Sequence, residues 1–358
     1  MDEARPLNLY EYEALARERL SAMAWDYYSS GALDEITLRA NREAFDRIEL
    51  RFRVLRGARE RDTSTTLLGR RHAWPLLVAP MAFARLAHPD GERAVARAGA
   101  ANGVTMTLST LSTTTLEDVA AASDHPRWFQ LYVFRDRDLT AELVRRAEAA
   151  GYEALVLTVD APELGRRERD ARNRFALPPG LEAANIAAHL PPVTADVGGS
   201  GLARFFATQI DPTLTWADVD WLRSLTRLPV LVKGVVHQED ARLAVEHGCA
   251  GVIVSNHGGR QLDTSIAAVR ALPAVAGAVE GRAAVLLDGG IRRGTDVVKA
   301  LALGADAVLL GRPVLWGLAV EGEAGVDHVL RLLRSEFEHA MLLCGAATRG
   351  DLTADLLA

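Results

Sequence analysis

The stretch from Ala241 to Gly259 reads ARLAVEHGCAGVIVSNHGG, and it contains one complete helix-to-strand unit. An alanine-rich helical stretch ends at Gly248, and a continuously apolar, β-branched run follows it. Glycine just past a helix is expected, because it accepts the left-handed backbone of that position. Strands without alternating polar residues are typical of a parallel sheet that is buried on both faces. The unit therefore predicts a parallel β/α architecture.

The same unit recurs after Gly103, Gly151 and Gly304, and shorter apolar runs complete the series. Eight strands are predicted, with ends near Pro80, Ser109, Tyr132, Asp160, Lys233, Ser255, Asp288 and Gly311. Most of the gaps suit one strand plus one helix, about 30 residues. Eight sequential units favour an α/β fold of the TIM (β/α)8 barrel type. An open doubly wound sheet is the alternative, because counting units does not prove closure.

Two segments lie outside the repeat. The 73-residue gap between Asp160 and Lys233 predicts a long insertion after the fourth strand, from about Glu163 to Thr215. Residues 1–70 precede the barrel, and we expect a helical extension there, joined to residues 71–358 in a single domain. Apolar residues recur in it at steps of three and four, as on one face of a helix that ends at Ser29–Gly31. They are Tyr12, Leu15, Ala16, Leu20, Met23 and Tyr27.

Composition argues against several classes of protein. The net charge is −6 without basic runs, so nucleic acid is an unexpected partner. Cys249 and Cys344 lie far apart, which favours neither a disulfide framework nor a metal site and makes the cytoplasm the default location. The acidic N-terminal stretch MDEARPLNLYEYE has no apolar signal core, and no run of eighteen apolar residues exists. We therefore expect no membrane association.

Polar residues follow six predicted strands at the ends where TIM barrels carry their chemistry. These segments are Gln130–Tyr132, Thr158–Asp160, Lys233–Gly234, Ser255–Arg260, Asp288–Arg292 and Gly311–Pro313. Burying one such group in a core is costly unless it is paired, so six of them favour one polar site facing a cavity. The last two segments combine glycines with Arg292 and Arg312. They favour a phosphate site over simple tight turns, because free N–H groups and guanidiniums bind dianions.

Longer motifs surround these residues and run in order from residue 9 to about 350. They are DYYSSG (26–31), APMA (79–82), QLY (130–132), LTVD (157–160), VKG (232–234), SNHGGRQLD (255–263), DGGIRRG (288–294) and GRP (311–313). This series resembles the FMN-dependent 2-hydroxy acid oxidase and dehydrogenase family, which includes glycolate oxidase, lactate oxidase and mandelate dehydrogenase. The stretch SNHGGRQLD is highly specific, whereas the glycine loops alone would suit other FMN barrels. The resemblance implies an (S)-2-hydroxy-acid oxidase-like flavoprotein that acts on CH–OH with FMN.

The resemblance implies that His257 is the catalytic base, held by Asp160. The ordinary pKa of an imidazole lies near neutrality, which suits that task. A buried structural histidine is the alternative, and the flanking glycines and Arg260 argue against it. Two mechanisms remain open. His257 removes either the α-proton, leaving a carbanion, or the hydroxyl proton while a hydride leaves the α-carbon for the flavin.

The substrate carboxylate is expected between Arg260 and Arg167, because a planar guanidinium matches two carboxylate oxygens. Arg167 lies in a charged loop, where a surface arginine is the alternative and Arg166 competes for the role. The resemblance also implies that two phenols, Tyr27 and Tyr132, bind the substrate carboxylate and hydroxyl.

Tyr28 competes with Tyr27, and Tyr27 is alternatively a core aromatic of the N-terminal helix. Lys233 is expected beside the flavin, where a cation favours the anionic reduced ring.

The remaining cofactor residues follow from the same resemblance. The ring and ribityl chain are assigned to Pro80, Met81, Ala82, Ser109, Gln130, Thr158, Ser255 and Asp288. The phosphate is assigned to Gly289, Gly290, Arg292, Gly311 and Arg312.

Three positions depart from many glycolate oxidases, which carry Thr at Met81, Trp at Leu111 and a common Arg at Glu163. Losing the indole at Leu111 should enlarge the substrate pocket. We therefore expect a substrate bulkier than glycolate, such as a medium aliphatic or aromatic 2-hydroxy acid.

The electron acceptor is expected to be O2, giving hydrogen peroxide, because residues 176–210 lack an apolar anchor and no haem domain precedes the barrel. A dehydrogenase using a quinone or carrier protein is the alternative. An FMN-barrel isomerase and a silent scaffold are less favoured, since neither needs the carboxylate clamp. The family also implies a homotetramer or larger.

Overall fold

The computed structural model describes residues 5–57, 61–194 and 199–358, and the described chain begins with helices and a hairpin. These elements are α1 (Leu9–Arg19), α2 (Ala22–Ser29), α3 (Ile36–Asp46), β1 (Thr65–Leu67) and β2 (Arg70–His72). The expectation of one helix across Tyr12 to Tyr27 is wrong. The backbone becomes extended at Leu20, and the Ser21 hydroxyl caps a second helix by accepting the Ala24 N–H.

Eight parallel strands follow the hairpin and close into a barrel. They are β3 (Leu76–Val78), β4 (Thr105–Ser109), β5 (Arg127–Leu131), β6 (Ala154–Thr158), β7 (Val230–Val235), β8 (Gly251–Val254), β9 (Ala284–Asp288) and β10 (Ala307–Leu310). Closure comes from the pairing of β10 with β3, where Val308 lies opposite Leu76. The TIM barrel is thereby confirmed, and the open-sheet alternative is wrong.

Helices follow the strands, and most of them cover the outside of the barrel. They are α4 (Gly91–Ala101), α5 (Leu116–Ala121), α6 (Arg137–Ala149), α7 (Glu168–Arg172), α8 (Gly201–Gln209), α9 (Trp216–Ser224), α10 (Gln238–Glu246), α11 (Ala268–Val279), α12 (Gly294–Ala302) and α13 (Arg312–Leu343). Gly151 and Gly248 follow α6 and α10 with φ of 75° and 66°, the left-handed backbone expected just past a helix. None of the described helices combines the length and hydropathy needed to cross a membrane.

Apolar side chains form two layers around the strands. One fills the barrel interior, where Leu231, Ile253 and Leu309 pack together, and Leu67 of the hairpin joins it. The other lies between the strands and the surrounding helices. Because both faces of the strands are covered, the continuously apolar runs of the sequence are accounted for.

The insertion after β6 carries α7 and α8. Residues 195–198, which fall within the predicted 176–210 loop, lie outside the described residues, as do the first four residues of the acidic N-terminal stretch. The described part is tied to the barrel by an isolated bridge between Phe134 and Ile210. Gly201 also donates its N–H to the Phe175 carbonyl, which brings α8 back over the carboxyl ends of the strands.

Candidate active site

A cavity of about 1040 Å³, including its open mouth, lies at the carboxyl ends of the barrel strands. This volume suits a site for a cofactor together with a small ligand. Its lining contains most of the residues predicted from the sequence. They are Tyr27, Pro80, Met81, Ala82, Ser109, Leu111, Gln130, Tyr132, Thr158, Arg167, Lys233, His257, Arg260, Asp288, Gly289, Gly290, Arg292, Gly311 and Arg312. The other two, Asp160 and Ser255, lie behind the lining and contact it.

His257 follows β8 in a short 3-10 turn and points its ring toward the cavity. Its φ of 56° is left-handed, a conformation that non-glycine residues rarely adopt and that often marks a functional position. Nδ1 lies 2.9 Å from Oδ1 of Asp160, and the backbone N–H donates to the Ser255 hydroxyl at 3.0 Å. With Nδ1–H donating to the carboxylate, the lone pair of Nε2 is available to accept a proton.

The protonation states of this pair suit a base. Burial lowers the pKa of His257, and the neighbouring Asp160 offsets this effect only in part. Burial alone would raise the pKa of Asp160, but His257 and then Lys233 hold it below its usual range. At neutral pH the pair is therefore a carboxylate and a neutral imidazole.

Lys233 lies on β7 and joins two other strand ends. Its Nζ is 2.9 Å from Oδ2 of Asp288 and donates to the Ser255 hydroxyl at 3.0 Å. Burial alone would lower the pKa of Lys233, but Asp288 and Asp160 raise it above its ordinary value, so the amine is charged. The second carboxylate oxygen of Asp288 is buried and has no hydrogen-bond partner among the described residues. That oxygen can accept a hydrogen bond from a ligand hydroxyl.

Two guanidiniums, of Arg167 and Arg260, face the cavity near His257. Arg167 is 6% exposed, whereas Arg166 is exposed to solvent, so of the two candidates Arg167 lies in the cavity. The nearest carboxylate recorded for Arg167 is Asp170, at 3.8 Å, and burial followed by the charge of Arg260 lowers the pKa of Arg167 to about 10. Arg260 donates to a backbone carbonyl and lies over the Tyr27 ring at 5.1 Å. Arg167 is buried with only a distant carboxylate and Arg260 is half-buried, so together they favour an anionic ligand.

Three tyrosines line the same space. The Tyr28 hydroxyl donates to the carbonyl of Phe83 at 2.6 Å, so it is already used inside the protein. Burial raises the pKa of Tyr27 and of Tyr132, and both phenols are therefore neutral hydrogen-bond donors. Tyr132 packs edge-on against Phe206 of α8, with 5.2 Å between ring centroids. The core-aromatic interpretation of Tyr27 is therefore incomplete, because its ring also forms part of the cavity wall.

The far end of the cavity is lined by the loops after β9 and β10. Arg312 donates to the backbone carbonyls of Tyr28, Ser30 and Gly258, none of which neutralises its charge. Burial, then the charge of Arg260, lowers the pKa of Arg312 to about 9. A side-chain carbon at Gly258 would lie 2.7 Å from Nη1 of Arg312, so the guanidinium packs directly against the backbone of this glycine. A buried cation beside glycine loops fits a phosphate.

The structure adds apolar lining residues that the sequence analysis does not include. Leu164, Leu202 and Phe206 come from the insertion and, like Leu111, line the cavity. For the two residues on α8, the sequence offers one signal, which is the spacing of apolar residues. Leu202, Phe205 and Phe206 fall on one buried face of this helix. Such a pattern indicates that these side chains are buried, but it does not indicate what they pack against.

The chain and its fold are also similar to those of known proteins. A family model described as FMN-dependent dehydrogenase matches residues 16–358. An L-lactate oxidase from Nostoc sp. is 55% identical and covers 98% of this chain and 98% of its own length. Glycolate oxidase 1 from Oryza sativa subsp. indica is 54% identical, covering 97% and 94%. A solved structure of mandelate oxidase with (S)-4-hydroxymandelic acid is 46% identical, covers 99% and 98%, and superposes with a TM-score of 0.95.

Proposed function

This chain belongs to the FMN-dependent dehydrogenase family, and we propose that it oxidises a 2-hydroxy acid bulkier than glycolate to the 2-oxo acid, with O2 reduced to hydrogen peroxide. Its relatives make it an FMN-dependent oxidoreductase acting on CH–OH. One observation carries the finer proposal. The His257–Asp160 pair opens on the same cavity as Arg167 and Arg260, so a base and a carboxylate clamp face one small volume.

The residues of the cavity fit FMN. Arg312 supplies a buried cation for the phosphate, the unpartnered oxygen of Asp288 suits a ribityl hydroxyl, and Lys233 suits the electron-rich edge of the ring. We assign the backbone and small side chains of Pro80 to Ala82 to one wall of the ring site. When bound, FMN supplies the acceptor for two electrons, while the protein supplies position and charge.

Substrate binding is assigned to the two guanidiniums and the two phenols. Arg167 and Arg260 bind the carboxylate, since each presents planar N–H donors to the cavity, and the Asp170 carboxylate paired with Arg167 lies as far as 3.8 Å away. Tyr27 donates to the same carboxylate, and Tyr132 donates to the substrate hydroxyl. The acid is then held with its α-carbon toward His257, which converts an encounter into an oriented complex.

Proton transfer is assigned to His257. The oxidation removes two protons and two electrons from the substrate, and the α-carbon becomes a carbonyl carbon. Nε2 accepts one of the protons, and the two electrons with the second proton would pass to the acceptor that FMN supplies when bound. The imidazolium formed in this step is stabilised by Asp160, which accepts the hydrogen bond from Nδ1 and remains ionised.

The preference for a bulkier acid is supported by the apolar part of the cavity wall, to which Leu111, Leu164, Leu202 and Phe206 contribute. Glycolate has no side chain to contact this wall, whereas an alkyl or phenyl group would bury apolar area against it. A kinetic panel of glycolate, lactate, 2-hydroxyoctanoate and mandelate tests the proposal. We expect the highest kcat/KM for one of the two larger acids, and the highest value for glycolate would overturn it.

The assignment of O2 as acceptor is tested by mixing the substrate-reduced protein with air-saturated buffer in a stopped-flow instrument. Fast reoxidation with one hydrogen peroxide per 2-oxo acid is expected. Very slow reoxidation, rescued by an added quinone, would replace the oxidase assignment by the dehydrogenase alternative.

We also propose assembly into a homotetramer. Phe52, Val54 and Leu55 are exposed apolar residues on a segment that bonds to the end of α13 through Arg53 N–H and the Cys344 carbonyl. Large exposed apolar patches commonly mark contacts between proteins. Light scattering coupled to gel filtration should give four times the monomer mass of 38.7 kDa, and a monomer would contradict the proposal.

A further inference from the structure

Gln261 lies beside the candidate active site but does not line the cavity. Its Nε2 donates to the carbonyls of Asp160 and Glu163, both at 2.9 Å. Its Oε1 accepts the N–H of Gly165 at 2.9 Å. A carboxamide has two N–H donors and one oxygen, so the whole side chain is engaged by residues 160–165.

The two segments that Gln261 joins carry four of the groups assigned to proton transfer and substrate binding. Residues 160–167 contain Asp160 and Arg167, and residues 257–261 contain His257 and Arg260. The carboxamide of Gln261 therefore contacts the backbone between the partner of the base and one arm of the carboxylate clamp.

Backbone packing leaves the two segments little freedom to approach more closely. A side-chain carbon at Gly165 would lie 2.2 Å from the Arg260 carbonyl oxygen and 2.5 Å from Cα of Gln261. Glycine is required here by this close approach, and the carboxamide prevents the segments from moving apart. The close contact at Gly165 keeps the two segments from approaching each other, and the three hydrogen bonds of Gln261 keep them from separating. Together they fix the distance between the segments.

We propose that Gln261 is a positioning residue, which holds the Asp160–Arg167 segment against the His257–Arg260 segment. In this arrangement the catalytic base and the carboxylate clamp act on the same substrate. The inference rests on the proposed function and adds a determinant of its geometry. Errors of about 1 Å between reacting groups can cost a factor of about 100 in rate. Removing the hydrogen bonds should therefore alter the kinetic constants of correctly folded, flavin-loaded enzyme.

The test compares Gln261→Met with Gln238→Met, a matched change at an exposed residue of α10. Per bound flavin, we expect kcat/KM of Gln261→Met to fall about tenfold to 100-fold, with kcat lowered and KM raised. Gln238→Met should match the wild type. A purely structural role would reduce the yield of folded enzyme and leave both constants per flavin unchanged.

A binding measurement provides a readout that needs no turnover. The acid 2-hydroxy-2-methylpropanoic acid carries the hydroxyl and carboxylate but has no α-hydrogen, so it binds without being oxidised. Its Kd, from titration calorimetry, should rise at least about fivefold in Gln261→Met, on the scale of one weakened hydrogen bond. If the wild type oxidised no 2-hydroxy acid, the proposed function would fail, while this titration would still test Gln261.

The pH profile gives a third readout. His257 faces three charged groups, which are Asp160 just after β6, Lys233 on β7 and Arg167 in the insertion. Of these, only Asp160 favours the charged form of His257. Displacing Asp160 should therefore move the acid limb of kcat/KM to lower pH in Gln261→Met.

Should Gln261→Met bind too little flavin, Gln261→Glu keeps the acceptor for Gly165 but sets an oxygen against two carbonyls, and the same losses are expected. Wild-type constants in either loaded variant, or loss of flavin from both, would overturn the positioning role.

Discussion

At the scale of single residues, the environment of His257 predicts how activity depends on pH. Because burial lowers its pKa below the ordinary value of 6.5, the imidazole stays neutral as pH falls through neutrality. We therefore expect kcat/KM to be flat near pH 7 and to decline only below about 6.5.

Asp160→Asn removes the charge that favours the imidazolium. It should shift this decline to still lower pH and reduce kcat about 10²- to 10⁴-fold. Profiles of kcat/KM against pH for both proteins check these expectations, and an acid limb above pH 6.5 in the wild type would contradict them.

The geometry of the Arg260 guanidinium predicts that replacing it with another cation lowers activity, even though the charge is kept. Arg260→Lys keeps a cation but not the planar pair of N–H donors that matches a carboxylate. A lost hydrogen bond to a charged group costs about 1.5–3 kcal/mol, so kcat/KM should fall roughly tenfold to 100-fold. Arg166→Lys, at the exposed neighbour of Arg167, is the matched control and should behave as wild type. Steady-state kinetics decide between these outcomes.

Leu111 predicts a change of specificity. Leu111→Trp places a larger apolar side chain in the cavity wall. The ratio of kcat/KM for mandelate to kcat/KM for glycolate should therefore fall by about 10- to 200-fold, the range seen for differences of one methylene or more. Leu262→Trp, at a residue 74% exposed, should leave that ratio unchanged. A ratio that moves equally in both variants would argue against a contact between Leu111 and the substrate.

Much of the candidate site could be predicted from the sequence, because its polar residues follow the strands directly. His257 and Lys233 fall at strand ends, where position along the chain already indicates position in the barrel. Neighbouring duplicates could not be separated in this way. Choosing between Arg166 and Arg167, or between Tyr27 and Tyr28, requires knowing which side chain is buried and which hydroxyl is already used.

At the scale of elements, Glu92 connects the loops after the first two barrel strands. This buried carboxylate in the first turn of α4 accepts the N–H groups of Ala84 and Thr113 and the hydroxyls of Thr113 and Thr114, at 2.8–3.0 Å. Glu92→Ala would leave several buried donors unpaired, at about 1–3 kcal/mol each.

We expect Glu92→Ala to lower the free energy of unfolding by about 3–5 kcal/mol in urea titrations. Glu43→Ala removes only an exposed ion pair with Arg47 and should cost less than about 1 kcal/mol. Equal losses in the two variants would contradict the role given to Glu92.

Elements were predictable where burial on both faces imposes a simple pattern. All eight barrel strands are present, and their predicted ends differ from the observed ones by at most two residues. The break between α1 and α2 could not be read in the same way, because apolar spacing continues across Leu20 and Ser21. The hairpin β1–β2 has strands of three residues, too short for any period to be recognised.

At the scale of the whole molecule, the charge of the cavity is opposite to that of the chain. The protein carries a net charge of −6, yet Arg167, Lys233, Arg260, Arg292 and Arg312 line one cavity, where Asp288 is the one acidic residue of the described lining. A concave surface of one sign concentrates ligands of the other sign. The proposed ligands, a substrate carboxylate and the phosphate of FMN, are both anions and would meet this requirement together.

The same charges predict how the cofactor affects stability. Without an anion, burial keeps the guanidinium of Arg312 in an unfavourable state, as its lowered pKa indicates. FMN should therefore raise the melting temperature of the apoprotein. At a concentration of 100 times its Kd, FMN should stabilise the folded state by about 2.7 kcal/mol.

Riboflavin has the same ring and ribityl chain but no phosphate, and it should give a much smaller shift at equal concentration. In Arg312→Gln the advantage of FMN over riboflavin should shrink, because the buried charge is gone. Thermal melts with each flavin measure this difference, and equal shifts in the wild type would mean that the phosphate is not bound where Arg312 lies.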